Sequence, residues 1–233
     1  MIATFAIEVA LAIYVAVRQP SSLFRAIVIT ILLCLASFQL AEFEVCLGPE
    51  STKLAWTKFG LVGITLLPAL GMHLIALVTT RNVLIPVSYT IAGSYAAMFL
   101  FLPGTTEQAL CCGNYVLLNI DNGWVGRVYD LYYTVFVVLA MVELGMRLLA
   151  KVPITESGYS SKLIGLTLLG YLSFTVPMAI VAVISAQLRD ATPSIMCGFA
   201  VILAFILALI LSPLYASESA AIRLRAAPDH ALA

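Results

Sequence analysis

The stretch CCGNYVLLNIDNGWVGRVYDLYY, Cys111 to Tyr133, interrupts a chain that is otherwise a succession of long apolar runs. It gathers turn-forming residues, acids, a cysteine pair and amphipathic aromatics in one place. Reading outward from it, each neighbouring run is long enough to be a membrane span, and the stretch itself reads as a surface between two of them. Composition agrees. Of the 233 residues 62% are hydrophobic and only 10% charged, where a soluble domain carries roughly 25% charged residues, and mean hydropathy is +1.06. The fold class expected is therefore an all-α membrane protein.

Seven runs qualify as spans: Ile2 to Val17, Leu23 to Ala41, Phe59 to Val78, Val83 to Leu102, Val128 to Ala150, Leu163 to Ile184 and Ile195 to Pro213. Together they make residues 1–213 a seven-transmembrane helix bundle, with 214–233 as a short tail that reads as a frayed helix or a disordered end. The first run has basic residues after it, at Arg18 and Arg25, and not before it, which favours a span over a cleaved leader. Between spans, Arg18, Arg25, Arg81, Arg147, Lys151, Lys162, Arg223 and Arg225 fall on one side, and Lys53, Lys58, Arg127 and Arg189 on the other. Eight against four places the first set in the cytoplasm, the amino terminus outside and the tail inside. The Cys111 to Tyr133 stretch is then extracytoplasmic. Net charge is zero and the basic residues are scattered, so no nucleic-acid surface is expected and the bilayer is the one certain partner.

Within the outer stretch, Tyr115 to Ile120 favours β structure, and Asp121, Asn122 and Gly123 form a turn signal before Trp124 and Val125. This predicts a short β-hairpin lid between the fourth and fifth helices, the alternative being an irregular loop with one turn. Trp124, Tyr129, Tyr132 and Tyr133 also suit the aromatic belt of any membrane boundary. Cys46, Cys111 and Cys112 share the oxidising side, so a bridge from Cys46 to either of the other two would pin the lid, although cysteine is equally a small apolar filler. Zinc is not expected: the histidines are His73 and His230, away from these thiols.

At helical spacing Tyr129, Tyr132, Tyr133, Phe136, Ala140, Glu143 and Arg147 form one stripe on the fifth span, which should face inward. Glu143 and Arg147 read first as a local ion pair. His73 lies deep in the third span at a depth similar to Glu143, so the two could meet, and with Arg147 they are candidates for coupling across the membrane. At the outer mouth Gln39, Glu42, Trp56, Trp124, Arg127, Tyr129, Tyr132 and Tyr133 are candidate ligand contacts for a polar or cationic small molecule. Pro68 and Pro177 permit kinks that would open space below.

The order of these features resembles the amino-terminal seven-span region of bacterial membrane histidine kinases. The segments that carry the resemblance are QLAEFEVC closing the second span, WTKFGLVGITLLPALGMHLIALVTTRN with its mid-span proline, GNYVLLNIDNGWVGRVYDLYYTVFVVL, and LIGLTLLGYLSFTVP. The resemblance implies a sensor input in a bacterial cytoplasmic membrane, without ligand residues to carry over. It departs from the family in ending before an output domain, so the expectation is a stand-alone module signalling through a separate cytoplasmic or membrane partner, with a homo-oligomer compatible. No cofactor is expected. The competing reading is a small-solute or proton-linked transporter, served by His73 and Glu143 but lacking a visible repeat. An enzyme is disfavoured because one span histidine is too few for an intramembrane metal hydrolase, and a retinal pump because the seventh span has no lysine. A structural scaffold also fits.

Overall fold

Helices account for nearly all of the described residues because the apolar runs must satisfy their backbone groups internally. The computed structural model describes residues 1–79, 84–107, 109–112, 115–117, 123–150, 159–184 and 192–226. In order the helices are α1 (Ile2–Arg18), α2 (Leu23–Leu47), α3 (Lys53–Thr79, after a 3-10 turn at Glu50–Thr52), α4 (Ile85–Phe101), α5 (Gly123–Leu149), α6 (Ser161–Ile184) and α7 (Thr192–Phe205); α7 runs through a π-helical segment, Ile206–Leu211, into α8 (Ser212–Ala226). Among the described residues five helical stretches are long and apolar enough to cross a membrane: Leu23–Leu47, Glu50–Thr79, Gly123–Leu149, Ser161–Val181 and Pro193–Leu224. This is the make-up of a multi-pass membrane protein. Helices α1 and α4 have 17 residues each, about 25 Å at 1.5 Å per residue.

The helices alternate in direction. Met1 at the start of α1, Val45 and Cys46 at the end of α2, and Trp56 at the start of α3 all pack against the connection between α4 and α5. At the other end Phe24, Tyr159 and Tyr215 stack in a row, with ring centroids 3.9 and 4.8 Å apart. The turn from α1 to α2 is tied by Ser22, whose hydroxyl accepts from Arg25 N–H at 3.1 Å, and by the Arg25 guanidinium, which donates to the Gln19 carbonyl at 2.9 Å. These satisfy the orphan groups of both helix ends.

Helix α3 is the centre of the bundle. Its apolar window is 72% buried, against 22% for α5. Small residues make this approach possible: a Cβ on Gly60 would lie 2.9 Å from Ala41 Cβ, and one on Gly63 would lie 2.5 Å from Ser37 Oγ. Side chains at those two positions would force α2 away.

The connection between α4 and α5 holds two three-residue strands, β1 (Leu110–Cys112) and β2 (Tyr115–Leu117), paired antiparallel with Cys111 opposite Val116. The expected hairpin is thus displaced toward the amino terminus. Trp124 and Val125 are not in a strand; they belong to the first turn of α5. The reason is periodicity: Val125 and Tyr129 are both buried and four apart, so the helical stripe continues above Val128. Asp121 and Asn122, as well as Arg81, Lys151, Arg189 and His230, lie outside the described residues.

The end of the chain is helical through Ala226. Pro213 does not stop it, because the preceding segment has shifted to π spacing. The Ser212 amide bonds the Leu207 carbonyl five residues back, and the Ser212 hydroxyl donates to that same carbonyl at 2.8 Å.

Candidate functional site

The lid is fastened to the bundle at three points. A disulfide joins Cys111 of β1 to Cys46 of α2, with Cα atoms 5.2 Å apart. The Ala109 amide donates to Thr57 Oγ1 of α3 at 3.3 Å, while the Thr57 hydroxyl donates to the Lys53 carbonyl at 2.9 Å. The Val116 amide of β2 donates to Ser194 Oγ of α7 at 3.2 Å. Val116 and Ala109 are buried together with Val45 of α2, so the lid has a small core of its own. Cys112 keeps a free thiol on the other side of the strand.

Directly beneath Val116 lies a polar centre that includes the candidate Glu42. Ser194, which accepts from Val116, lies beside the carboxyl of Glu42. Glu42 in turn lies within electrostatic range of Glu8 on α1. Both acids are buried, at 3% and 0% relative exposure. Both carboxyl oxygens of Glu8 and Oε1 of Glu42 are without a hydrogen-bond partner. Glu8 interrupts an apolar run, and that interruption was the available signal; what it did not disclose is that α7 closes over the acid. Gln39, one turn before Glu42 on α2, is buried as well.

The tyrosines of α5 take a different role. The Tyr129 hydroxyl lies 3.0 Å from Thr65 Oγ1, whose own proton goes to the Leu61 carbonyl at 2.6 Å, so Tyr129 is the donor. The Tyr132 hydroxyl donates to the Thr65 carbonyl at 2.9 Å. One residue of α3 therefore receives both phenols. Tyr95 and Phe99 of α4 close around them, with centroids 5.2 Å and 5.3 Å from Tyr129. This is a clamp between α3, α4 and α5. Trp124 is 66% exposed, and Arg127 is exposed with its Nε bonded to the Gly123 carbonyl at 2.7 Å. Both lie on the outer surface of α5 and not under the lid. Trp56 packs edge-on to Phe59 at 5.7 Å and supports the lid core.

About one helical turn below Ser194, Cys197 lines a cavity of about 50 Å³ at the middle of the bundle. Pro68 and Gly71 of α3, Tyr133 and Phe136 of α5, and Tyr171 of α6 line it too. Its walls are mainly apolar, and its volume exceeds the ~10–15 Å³ needed for a water. Pro68 cannot bond to the turn before it, which makes it a fitting wall residue.

The two coupling candidates do not meet. His73 Nδ1 lies 3.1 Å from the Tyr89 hydroxyl on α4, their rings edge to face. Glu143 bonds Arg147 Nε at 3.2 Å along α5. Helices α3 and α5 are neighbours, but equal depth does not fix rotation, and His73 is turned toward α4. The α5 stripe is inward at Tyr129, Tyr132, Phe136 and Ala140, and passes to Leu144 at the lower end, leaving Glu143 and Arg147 at its margin.

At the lower end a second fastening ties α8 to α6. Glu218 accepts from the Ser160 amide at 2.8 Å and from the Ser160 hydroxyl. Ser160 Oγ in turn caps α6 by accepting from the Leu163 amide at 3.2 Å. The Tyr159 hydroxyl lies 3.2 Å from Ser219 Oγ. A carboxylate at a helix start is favourably placed. No family model, curated protein or solved structure matches the chain.

Proposed function

We propose that the protein is a receptor-like sensor of the bacterial cytoplasmic membrane, taking a stimulus or small ligand under the outer lid and signalling through a separate partner at its inner end. In this reading α1 and α4 complete seven spans, at the short end of the workable range of about 17–25 residues. The amino terminus and lid are outside, as the eight-to-four excess of basic residues favours, and the Cys46–Cys111 bridge suits an oxidising side. The resemblance to the seven-span sensor region of membrane histidine kinases points the same way.

The observation that carries the reading is the chain of contacts from Val116 through Ser194 to Glu42. It ties the lid to the top of α7, and α7 continues without a break into α8, whose Glu218 holds the start of α6. A ligand that favours one position of the lid then favours one position of the inner end, which is the thermodynamic requirement for signalling. The test is affinity capture of the tagged chain from native membrane. A signalling partner whose recovered amount changes with Ser194→Ala supports the reading; capture of no partner, or of one indifferent to the lid, refutes it.

The buried acids Glu8 and Glu42 favour a second reading, proton-linked transport. Proteoliposomes decide it: uptake driven by a pH gradient and abolished by Glu8→Gln would establish transport in place of sensing.

A further inference from the structure

Two buried carboxyl groups on neighbouring helices lie beneath the lid within electrostatic range of one another, and three of their four oxygens have no hydrogen-bond partner. Glu8 comes from α1 and Glu42 from α2, while α7 contributes Ser194. The positive group that bears on both acids is the amino group of Met1, which leaves both Glu8 oxygens unbonded. No basic side chain is turned into this region among the described residues. A carboxylate in such surroundings costs far more than it would in water unless something compensates it.

Apolar residues would pack this position at no such cost. What the arrangement does supply is a set of hard oxygen donors, two of them on a residue with 0% exposure, closed from above by a disulfide-fastened lid. Hard donors of this kind select alkali and alkaline-earth ions over softer metals. The carboxyl donors come from α1 and α2 and Ser194 of α7 lies beside Glu42, so an ion held there joins α1, α2 and α7 at the level of the lid. Water-bridged neutral acids would need further donors and acceptors on the surrounding walls, and Leu11 and Ala12 beside Glu8 on α1 provide none from their side chains.

We propose that Glu8 and Glu42 hold a small hard metal cation, Na⁺ or Ca²⁺ in class, beneath the lid, with Ser194 orienting the Glu42 carboxyl. The ion links α1, α2 and α7 and sets the resting position of the lid. The site is the same whether the protein senses or transports, because ion binding is read on the isolated chain without partner capture or flux.

The test uses the full chain in nanodiscs, unfolded thermally in choline chloride that is replaced stepwise, at constant ionic strength and fixed pH, by NaCl, KCl, CaCl₂ or MgCl₂. The expected result is a rise in Tm of about 5–10 °C at a hundredfold excess over Kd for Na⁺ or Ca²⁺. That rise is lost in Glu8→Gln and in Glu42→Gln and is kept in Glu143→Gln, which controls for charge removal elsewhere. Glu8→Asp, which retains the charge, shifts the midpoint of the ion titration without abolishing it. The arms separate the ions: a response to NaCl alone marks a monovalent site, and one to micromolar or millimolar CaCl₂ marks a divalent site. Equal Tm in all five salts overturns the proposal, as does a response that survives undiminished in both Gln variants. When the series is repeated at a second fixed pH, a Tm that changes with pH and with none of the salts overturns it too, and assigns the acids a shared proton.

Discussion

Placing a methyl group at Gly71 tests the cavity wall where α3 meets Tyr171 of α6. A Cβ there collides with the Tyr171 hydroxyl, while Cζ and Cε1 of the same ring lie at 3.5 and 3.9 Å. Tyr171 is buried, at 6% exposure, so its hydroxyl cannot swing into solvent and the ring or the helix must move. Overpacking of this kind costs about 1–3 kcal/mol. At about 2–4 °C per kcal/mol for a chain of this size, Gly71→Ala should lower Tm by about 2–12 °C. Tyr171→Phe removes the colliding atom and leaves an ordinary contact at 3.5 Å. The double variant should therefore recover most of the loss, giving a coupling of about 1 kcal/mol or more in a thermal-unfolding cycle on the reconstituted protein. Strictly additive effects would refute this packing of α3 on α6.

The disulfide closes 65 residues of sequence, for which loop entropy gives about 4 kcal/mol as an upper figure, because an unfolded chain in a bilayer is already confined. Cys46→Ser should lower Tm, and reductant should bring the wild type down to the same value; a wild type indifferent to reductant would show that the lid is not pinned there. Thr65→Val takes the acceptor from Tyr129 and should cost about 1–3 kcal/mol, with Tyr129→Phe in the same chain restoring part of it, as denaturant unfolding would register. Glu218→Ala leaves the α6 cap without its carboxylate and should cost about 1 kcal/mol, seen as faster amide exchange at Ser160; unchanged exchange would remove α8 from that role.

Much of the helical architecture was legible because apolar runs of span length have few other outcomes. The ends were less so. Helix α2 continues to Leu47 and α3 begins at Lys53, since Glu42, Cys46 and Trp56 face other protein and not water. Those residues looked like loop chemistry. The hairpin register escaped because the Cys46–Cys111 bridge, a contact between distant segments, decides which three residues pair. Rotation was the hardest quantity: helical spacing put Tyr129 and Tyr132 on one face, but only the position of Thr65 turns them into a clamp, and only Tyr89 draws His73 toward α4. Glu8 was visible as one acid in an apolar helix. Its meaning depends on Glu42 and Ser194, and no local pattern links residues 8, 42 and 194.

Signalling as proposed requires the lid and the inner end to move as one unit through α7 and α8, the stretch Pro193–Leu224 spanning 32 residues, about 48 Å of helix. Residue-resolved hydrogen exchange on wild type and Ser194→Ala in nanodiscs tests it most directly. Ser194→Ala deprives the Val116 amide of its acceptor, so faster exchange there certifies that the lid has been released. The Ser160 amide, bonded to Glu218 at the far end, should then lose protection as well. Release at Val116 with Ser160 unchanged would contradict it.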